Sequence, residues 1–456
     1  MKKTKALTFL VTLVMLSSAI GGCASGTTTT TVATNATETT TAVNSESQAT
    51  DAATTPEETI SSEPVTISLL NTKSEIQTQL EDAAKAFNLQ NPNITVEVII
   101  STGTPFEKLT AMYASDSAPT IAMLDGGDLA KIKDRVVDLS SEKWVSDTPF
   151  IEECKVDGTL VSFPLVVEGV GLIYNKAVLE KAGVDPAAIT TQAALEDALI
   201  KIEATGVAGA VICKEDWSLG NHLSVIPYTN TSRAAADVKT VLADLKAGTL
   251  DLTQDKAWNG FVDTLDILMK YNLNKETPLN NDYNKSNEAI ATGKAGFLFQ
   301  GVWAWPDFVK VNADINNFGY IPYPISNDAA DICNTSIQVG ATKFLVIDKD
   351  QNSVDQQIAA KRFLNWLVYD PAGQTAIVTN AQCISPFTNV TIAPENPLAK
   401  SVASYIQSGN ILVFTGNLCP SDHWSVLGGQ WQKYVSGNTD RASVAKEIMT
   451  YWQNAD

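Results

Sequence analysis

The chain has 456 residues, 44% of them apolar, and carries 51 acidic side chains against 32 basic ones, a formal net charge of −19. That length is too great for one ordinary core, and the acidic excess excludes nucleic acid as a partner and argues against direct adsorption to anionic lipid. With two histidines, His222 and His423, and no Cys-x-x-Cys pair, no zinc site is expected, nor any cofactor.

Met1-Lys2-Lys3-Thr4-Lys5 leads into an apolar run from Ala6 to Leu16, then into Ala19-Ile20-Gly21-Gly22-Cys23. The apolar run is too short to span a bilayer as a stable helix, so residues 1–22 read as an export signal. Ile20-Gly21-Gly22-Cys23 resembles the bacterial lipoprotein box, which implies that Cys23 is lipidated and anchors the protein on the outer face of the cell membrane. The alternative is an ordinary signal peptide with an incidental cysteine. Residues 23–63 are dominated by Thr, Ala, Ser, Asn and Glu and lack any aromatic side chain, so they cannot fold alone. They read as a tether of about 40 residues, spanning roughly 35 Å as a flexible coil.

Folded structure is expected from the β-prone run Val65 to Leu70. Ile76, Leu80, Ala83, Ala84 and Phe87 then mark one face of a helix, which Asn91-Pro92-Asn93 ends. Ile94, Val96, Val98 and Ile100 alternate with Thr95 and Glu97 as a second strand, completing a βαβ unit. Ligand sites in such sheets lie beyond the carboxyl ends of the strands. A third strand, Thr120 to Leu124, ends at Asp125-Gly126-Gly127-Asp128, which places Asp125 at such a position; Asp128 suits a helix cap. Helices are expected at about 176–183, 191–204, 234–246, 256–271, 355–369, 397–408 and 441–453. The class is α/β. Cys154, Cys213, Cys333, Cys383 and Cys419 are odd in number, so at least one is free or intermolecular.

The segment Phe163 to Lys176, FPLVVEGVGLIYNK, sets one carboxylate, Glu168, inside an apolar, β-branched run. An unpaired buried charge costs several kcal/mol, so Glu168 requires a ligand, a catalytic proton or a neighbouring cation.

Several motifs occur in one order: Ala86-Phe87 through Asn91-Pro92-Asn93-Ile94-Thr95-Val96-Glu97; Asp157-Gly158 to Phe163-Pro164; the Glu168 run to Tyr174-Asn175-Lys176; Ala291 to Gly296 leading to Gly301-Val302-Trp303-Ala304-Trp305; and Ala359 to Asp370. In this order they resemble the extracellular solute-binding proteins of the maltose-binding-protein-like cluster, from about Val65 to the C-terminus. The resemblance implies a two-lobed, periplasmic-binding-protein-like fold of type II. Each lobe is then a sheet flanked by helices, with three interlobe crossings and the ligand between the lobes. Lobe one is expected at 64–166 plus 333–385, and lobe two at 167–332 plus 386–456. Glu168 then stands at the first crossing.

The same resemblance implies a receptor that hands an oligosaccharide to an ABC permease, acting as a monomer. A sugar hydroxyl is both donor and acceptor, so carboxylates and amides give selectivity while the ring's C–H face lies on an aromatic side chain. Covering one sugar face with tryptophan removes about 50 Å² from water, worth roughly 1 to 1.5 kcal/mol. The platforms implied are Trp303, Trp424 and Trp217, and the acceptors Asp125, Glu168 and Glu215; Tyr283 and Gln300 flank the tryptophan motif and are further candidates. In an extended backbone Trp303 and Trp305 would face opposite ways, with Trp303 favoured as ligand-facing. Trp424 stands in a polar, turn-rich stretch, and capping a lobe is its alternative. Trp258, Trp366, Trp431 and Trp452 are expected in the core, and His222 in solvent. Two other functions stay open: the same receptor with a peptide, polyamine or organophosphate ligand, and a secreted glycoside hydrolase using Asp125 and Glu168.

Overall fold

The computed structural model describes residues 63–455 apart from 102–104, 230–233, 312 and 315. The export signal, Cys23 and all of the tether but Glu63 lie outside the described residues.

Strand β1 (Val65–Asn71) buries Val65, Ile67 and Leu69 on one face. The helix Gln77–Gln90 packs Leu80, Ala83, Ala84 and Phe87 inward and stops at Asn91, whose side chain donates to the Phe87 carbonyl at 3.1 Å. Strand β2 (Ile94–Ile100) then runs parallel to β1 from Val65↔Ile94 to Asn71↔Ile100. The helix Pro105–Ala114, which the sequence periodicity did not indicate, leads to β3 (Ile121–Leu124), parallel to β1 on its other side. Short strands β4 (Lys155–Val156) and β5 (Thr159–Leu160) form a hairpin around Asp157-Gly158. Both turn residues have positive φ, 49° and 82°, as a tight two-residue hairpin requires.

The remaining strands are β6 (Phe163–Asn175), β7 (Ala208–Val211), β8 (Ala295–Gly301), β9 (Phe318–Ile321), β10 (Ile337–Ile347) and β11 (Ile411–Val413). Nine strands form one sheet in the order β2-β1-β3-β10-β6-β8-β7, with β11 beside β10 and β9 beside β6. Two long strands join its halves. Strand β10 pairs with β11 through Ile337–Val339 and with β3 through Phe344–Ile347. Strand β6 pairs with β10 from Phe163 to Val170, then with β8 and β9 from Val170 to Asn175. A third crossing passes Ile384, bridged to Val167.

The buried core divides at the same places. One cluster holds residues before Val167 and from Ala341 to Phe387; two others hold residues 167–339 and 398–452. Cys333, Ile337 and Val339 pack with the second half. Trp258, Trp366, Trp431 and Trp452 are all buried. Cys154, Cys213, Cys333, Cys383 and Cys419 are free thiols.

Two local expectations differ from the structure. The backbone from Val302 to Trp305 is not extended: a 3-10 turn, Val302–Ala304, runs into the helix Trp305–Lys310. Trp424 lies in the first turn of the helix His423–Val435, not in a loop.

Candidate ligand-binding cleft

Strands β1 and β3 are parallel, so their carboxyl ends open on the same edge, and the chain beyond them delivers Lys73 and Asp125 there. The crossings supply Glu168, Thr342 and Lys343; the ends of β8 and β11 supply Trp303 and Phe414. Together these residues border a cleft of about 1010 Å³, closed on its far side by Trp217, His222, Tyr283 and the segment Pro420–Ser425.

At the floor, Glu168 is 5% exposed and both of its oxygens are engaged. Lys73 Nζ donates to Oε1 at 2.6 Å, and Thr342 Oγ1 donates to Oε2 at 2.5 Å. Of the partners that sequence allowed for this carboxylate, the structure supplies a cation. Lys73 also donates to Glu75 at 2.7 Å. The Asn71 side chain accepts from Lys73 N at 2.9 Å and donates to the Lys73 carbonyl at 3.1 Å, fixing the turn that aims the lysine inward. Burial works against the Lys73 ammonium, but Glu168 and Glu75 beside it hold its pKa well above the usual lysine range. Burial likewise opposes the charge of Glu75, yet Lys73 keeps that carboxyl below its ordinary value.

At the rim, Asp125 is exposed and accepts from Lys343 Nζ at 2.5 Å. Asp128 makes no cap; it pairs with Lys131 at 3.1 Å, and burial raises its carboxyl above the ordinary value. The turn Gly126-Gly127 packs against the opposite half. A Cβ at Gly126 would lie 2.9 Å from Asn417 Cβ, and one at Gly127 would lie 3.1 Å from the Cys419 carbonyl oxygen. Lys131 also donates to Ser421 across this contact.

The wall is aromatic. Trp217 stands 5.6 Å from Tyr283 and 6.4 Å from Trp303 between ring centroids; His222 stands 4.8 Å from Trp303 and 5.7 Å from Phe414. Trp303 folds back over Gly301, where a Cβ would lie 2.2 Å from its ring, so the glycine of Gly301-Val302-Trp303 makes room for the indole. Trp303 is half-buried and faces the cleft, whereas Trp305 is 4% exposed and packs on Phe308 and Phe318. Tyr283 OH donates to the Trp303 carbonyl at 3.3 Å.

Six of the residues singled out from sequence thus border the cleft: Asp125, Glu168, Trp217, Tyr283, Trp303 and Trp424. Two stand elsewhere. Glu215 accepts from Tyr283 N at 3.2 Å and so supports the wall from behind. Gln300 is 1% exposed within the sheet; its Oε1 accepts from Gly301 N, and its Nε2 finds no partner among the described residues. Sequence reasoning missed Lys73, although it follows the carboxyl end of β1 as Asp125 follows that of β3. It also placed His222 in solvent. The structure corrects this: His222 is a packed member of the aromatic wall.

Behind the floor, Glu153 accepts from Ala341 N at 2.9 Å, at the point where β10 crosses. Burial raises its carboxyl to about 7, against the lowering effect of hydrogen bonds from Ala341 and Asn417.

Residues 82–406 match the model of the family described as bacterial extracellular solute-binding protein. Among curated proteins, the xylose/arabinose-binding protein XacG of Haloferax volcanii is 24% identical over 212 residues; the match spans 44% of this chain and 44% of that protein. Solved structures share the fold over most of the chain. A chitin oligosaccharide binding protein superposes with a TM-score of 0.71 at 19% identity, covering 86% of this chain and 99% of its own. The solute-binding protein RafE in complex with raffinose gives 0.71 at 17% identity, over 85% and 99%. A sugar transporter from Bacillus licheniformis in complex with stachyose gives 0.67 at 20% identity, over 86% and 100%. With its family model matched over most of its length and its two-lobed α/β architecture, the chain belongs to the bacterial extracellular solute-binding proteins.

Proposed function

We propose that this protein is the lipid-anchored receptor of an ABC importer, which captures an oligosaccharide between its lobes outside the cell and delivers it to the permease. The observation that carries the reading is the pairing, in one cleft, of an aromatic wall of Trp217, Tyr283 and Trp303 with a floor and rim of fixed charges. Indole faces suit the C–H faces of sugar rings, and the polar groups at the floor and rim suit hydroxyls. Cys23 carries the lipid and residues 23–63 are the tether. The first lobe takes 64–166 and the segment from Ala341 to Phe387, and the second takes 167–339 and the chain from Leu398 on. Ligand contacts from both lobes favour the closed form, which the permease reads.

No covalent chemistry is involved. Asp125 and Glu168, the pair a glycosidase would need, are each engaged in an ion pair, with Lys343 and Lys73 respectively.

Calorimetry of the purified protein against a panel of mono- to tetrasaccharides, including raffinose, stachyose, chitotriose, xylotriose and maltotriose, tests the ligand class. Binding to at least one member is expected. Silence across the panel with a response to spermidine would replace the sugar by a cation, and release of shorter sugars during incubation would make the protein an enzyme.

A further inference from the structure

The residue the family likeness does not account for is His222. It lies in a π-helical turn, Ser218–Leu223, a geometry that recurs at functional sites. The turn is held on three sides. A Cβ at Gly220 would lie 2.2 Å from the Trp424 carbonyl oxygen, so this backbone is pressed against the helix His423–Val435; a Cβ at Gly416 would lie 2.6 Å from the Asn221 side-chain amide; and Gln338 of β10 donates to the His222 carbonyl at 3.0 Å. The imidazole is thus set in place before any ligand arrives.

Its two nitrogens have different surroundings. Nδ1 is buried with no partner among the described residues, whereas the ring, packed against Trp217, Trp303 and Phe414, borders the cleft. A sealed N–H donor is more costly than a sealed lone pair, so the proton of the neutral ring belongs on Nε2. The charged groups facing the ring are Asp125 and Lys343; their effects on it oppose each other, and burial holds the imidazole pKa down to about 3.

We infer that His222 is a specificity-determining residue of the cleft: an imidazole packed edge-on and tilted against the aromatic wall, which donates one hydrogen bond from Nε2 to an oxygen of the bound sugar. This rests on the sugar-binding reading above. A ring oxygen or hydroxyl fits this donor; a ligand that offers only cationic donors does not.

The test uses the tightest-binding saccharide of the panel above, by calorimetry. His222→Phe keeps the ring and removes the donor; His222→Gln places an amide N–H near the Nε2 position. His222→Phe is expected to lose affinity about tenfold, the scale of one buried hydrogen bond, and His222→Gln to recover most of it. The ratio of wild-type to His222→Phe affinity is expected to stay constant from pH 7.5 to 5. Equal affinity in His222→Phe and wild type, no recovery in His222→Gln, or a ratio that changes around pH 6.5 would each overturn the assignment. Melting temperatures of the variants separate loss of fold from loss of the donor. If the wild-type protein binds no saccharide, the sugar reading itself fails, which is a distinct outcome.

Discussion

Lys73 and Glu168 lie 95 residues apart in the chain and 2.6 Å apart in space, an ion pair between the end of β1 and the first crossing. Each is almost inaccessible, with side chains 4% and 6% exposed. Removing one partner of such a pair strands the other charge, whereas removing both is far less harmful. Lys73→Met is therefore expected to destabilise the fold by about 3 kcal/mol, and the double variant Lys73→Met/Glu168→Gln by clearly less. Urea denaturation of wild type, Lys73→Met, Glu168→Gln and the double variant checks this; additive losses would show that the two residues do not act as a pair.

Trp303 and Trp305 separate ligand contact from packing. Trp303→Ala is expected to weaken saccharide binding about tenfold with a melting temperature within a few degrees of wild type. Trp305→Ala, which empties a site against Phe308 and Phe318, is expected to cost about 3 kcal/mol of stability. Calorimetry and thermal denaturation on both variants decide the matter, and a collapsed fold in Trp303→Ala would make that indole a core residue.

Much of this was legible in the chain. Apolar alternation and helical spacing located β1, β2, β3 and seven helices between Lys176 and Asn454 because those elements bury one regular face, but not the helices Tyr283–Ala291 and Trp305–Lys310. Glu168 was legible because a charge in an apolar run needs an explanation. Lys73 was not, since a lysine after a strand is ordinarily solvated and only the fold brings Glu168 to it. The helix His423–Val435 was hidden by the polar, turn-forming residues that open it around Trp424; inside it, Gly428 is required because a Cβ would lie 2.4 Å from the Asp216 carbonyl oxygen. His222 was hidden for a related reason: its polar neighbours in sequence gave no sign of the three rings around it.

Gly127 offers a probe of lobe closure that leaves the ligand wall untouched. Its missing side chain admits the Cys419 carbonyl and Ser421 Cα, and backbone cannot step aside as a flexible side chain can. Gly127→Leu is expected to wedge the rim open, lowering saccharide affinity about tenfold by depleting the closed form, with little change in melting temperature. Small-angle scattering at saturating ligand should show a larger radius of gyration than for wild type; an identical radius and affinity would show that the rim contact plays no part in closure.

Glu153 sets a pH dependence of stability. Its folded pKa of about 7 exceeds that of an exposed glutamate, so the native state holds a proton that the unfolded chain has released. The resulting stability is fully present below the unfolded value, near 4.5, and is lost as pH rises to 7. Glu153→Gln is expected to flatten that fall, measured as unfolding free energy from pH 4.5 to 8; an unchanged slope would place the titration elsewhere.

Strands β6 and β10 pass between the halves side by side, with Glu168 opposite Gly340 in an antiparallel ladder. Two paired strands form a ribbon, and a ribbon yields most readily in torsion, because twisting it preserves its hydrogen bonds while sharp bending breaks them. Opening of this molecule would therefore be a screw motion, rotating one lobe about the strands as the mouth widens. The Lys73–Glu168 pair, whose glutamate sits on the ribbon itself, would stay intact throughout, while the rim contact between Gly127 and Cys419, which joins the two halves, would part.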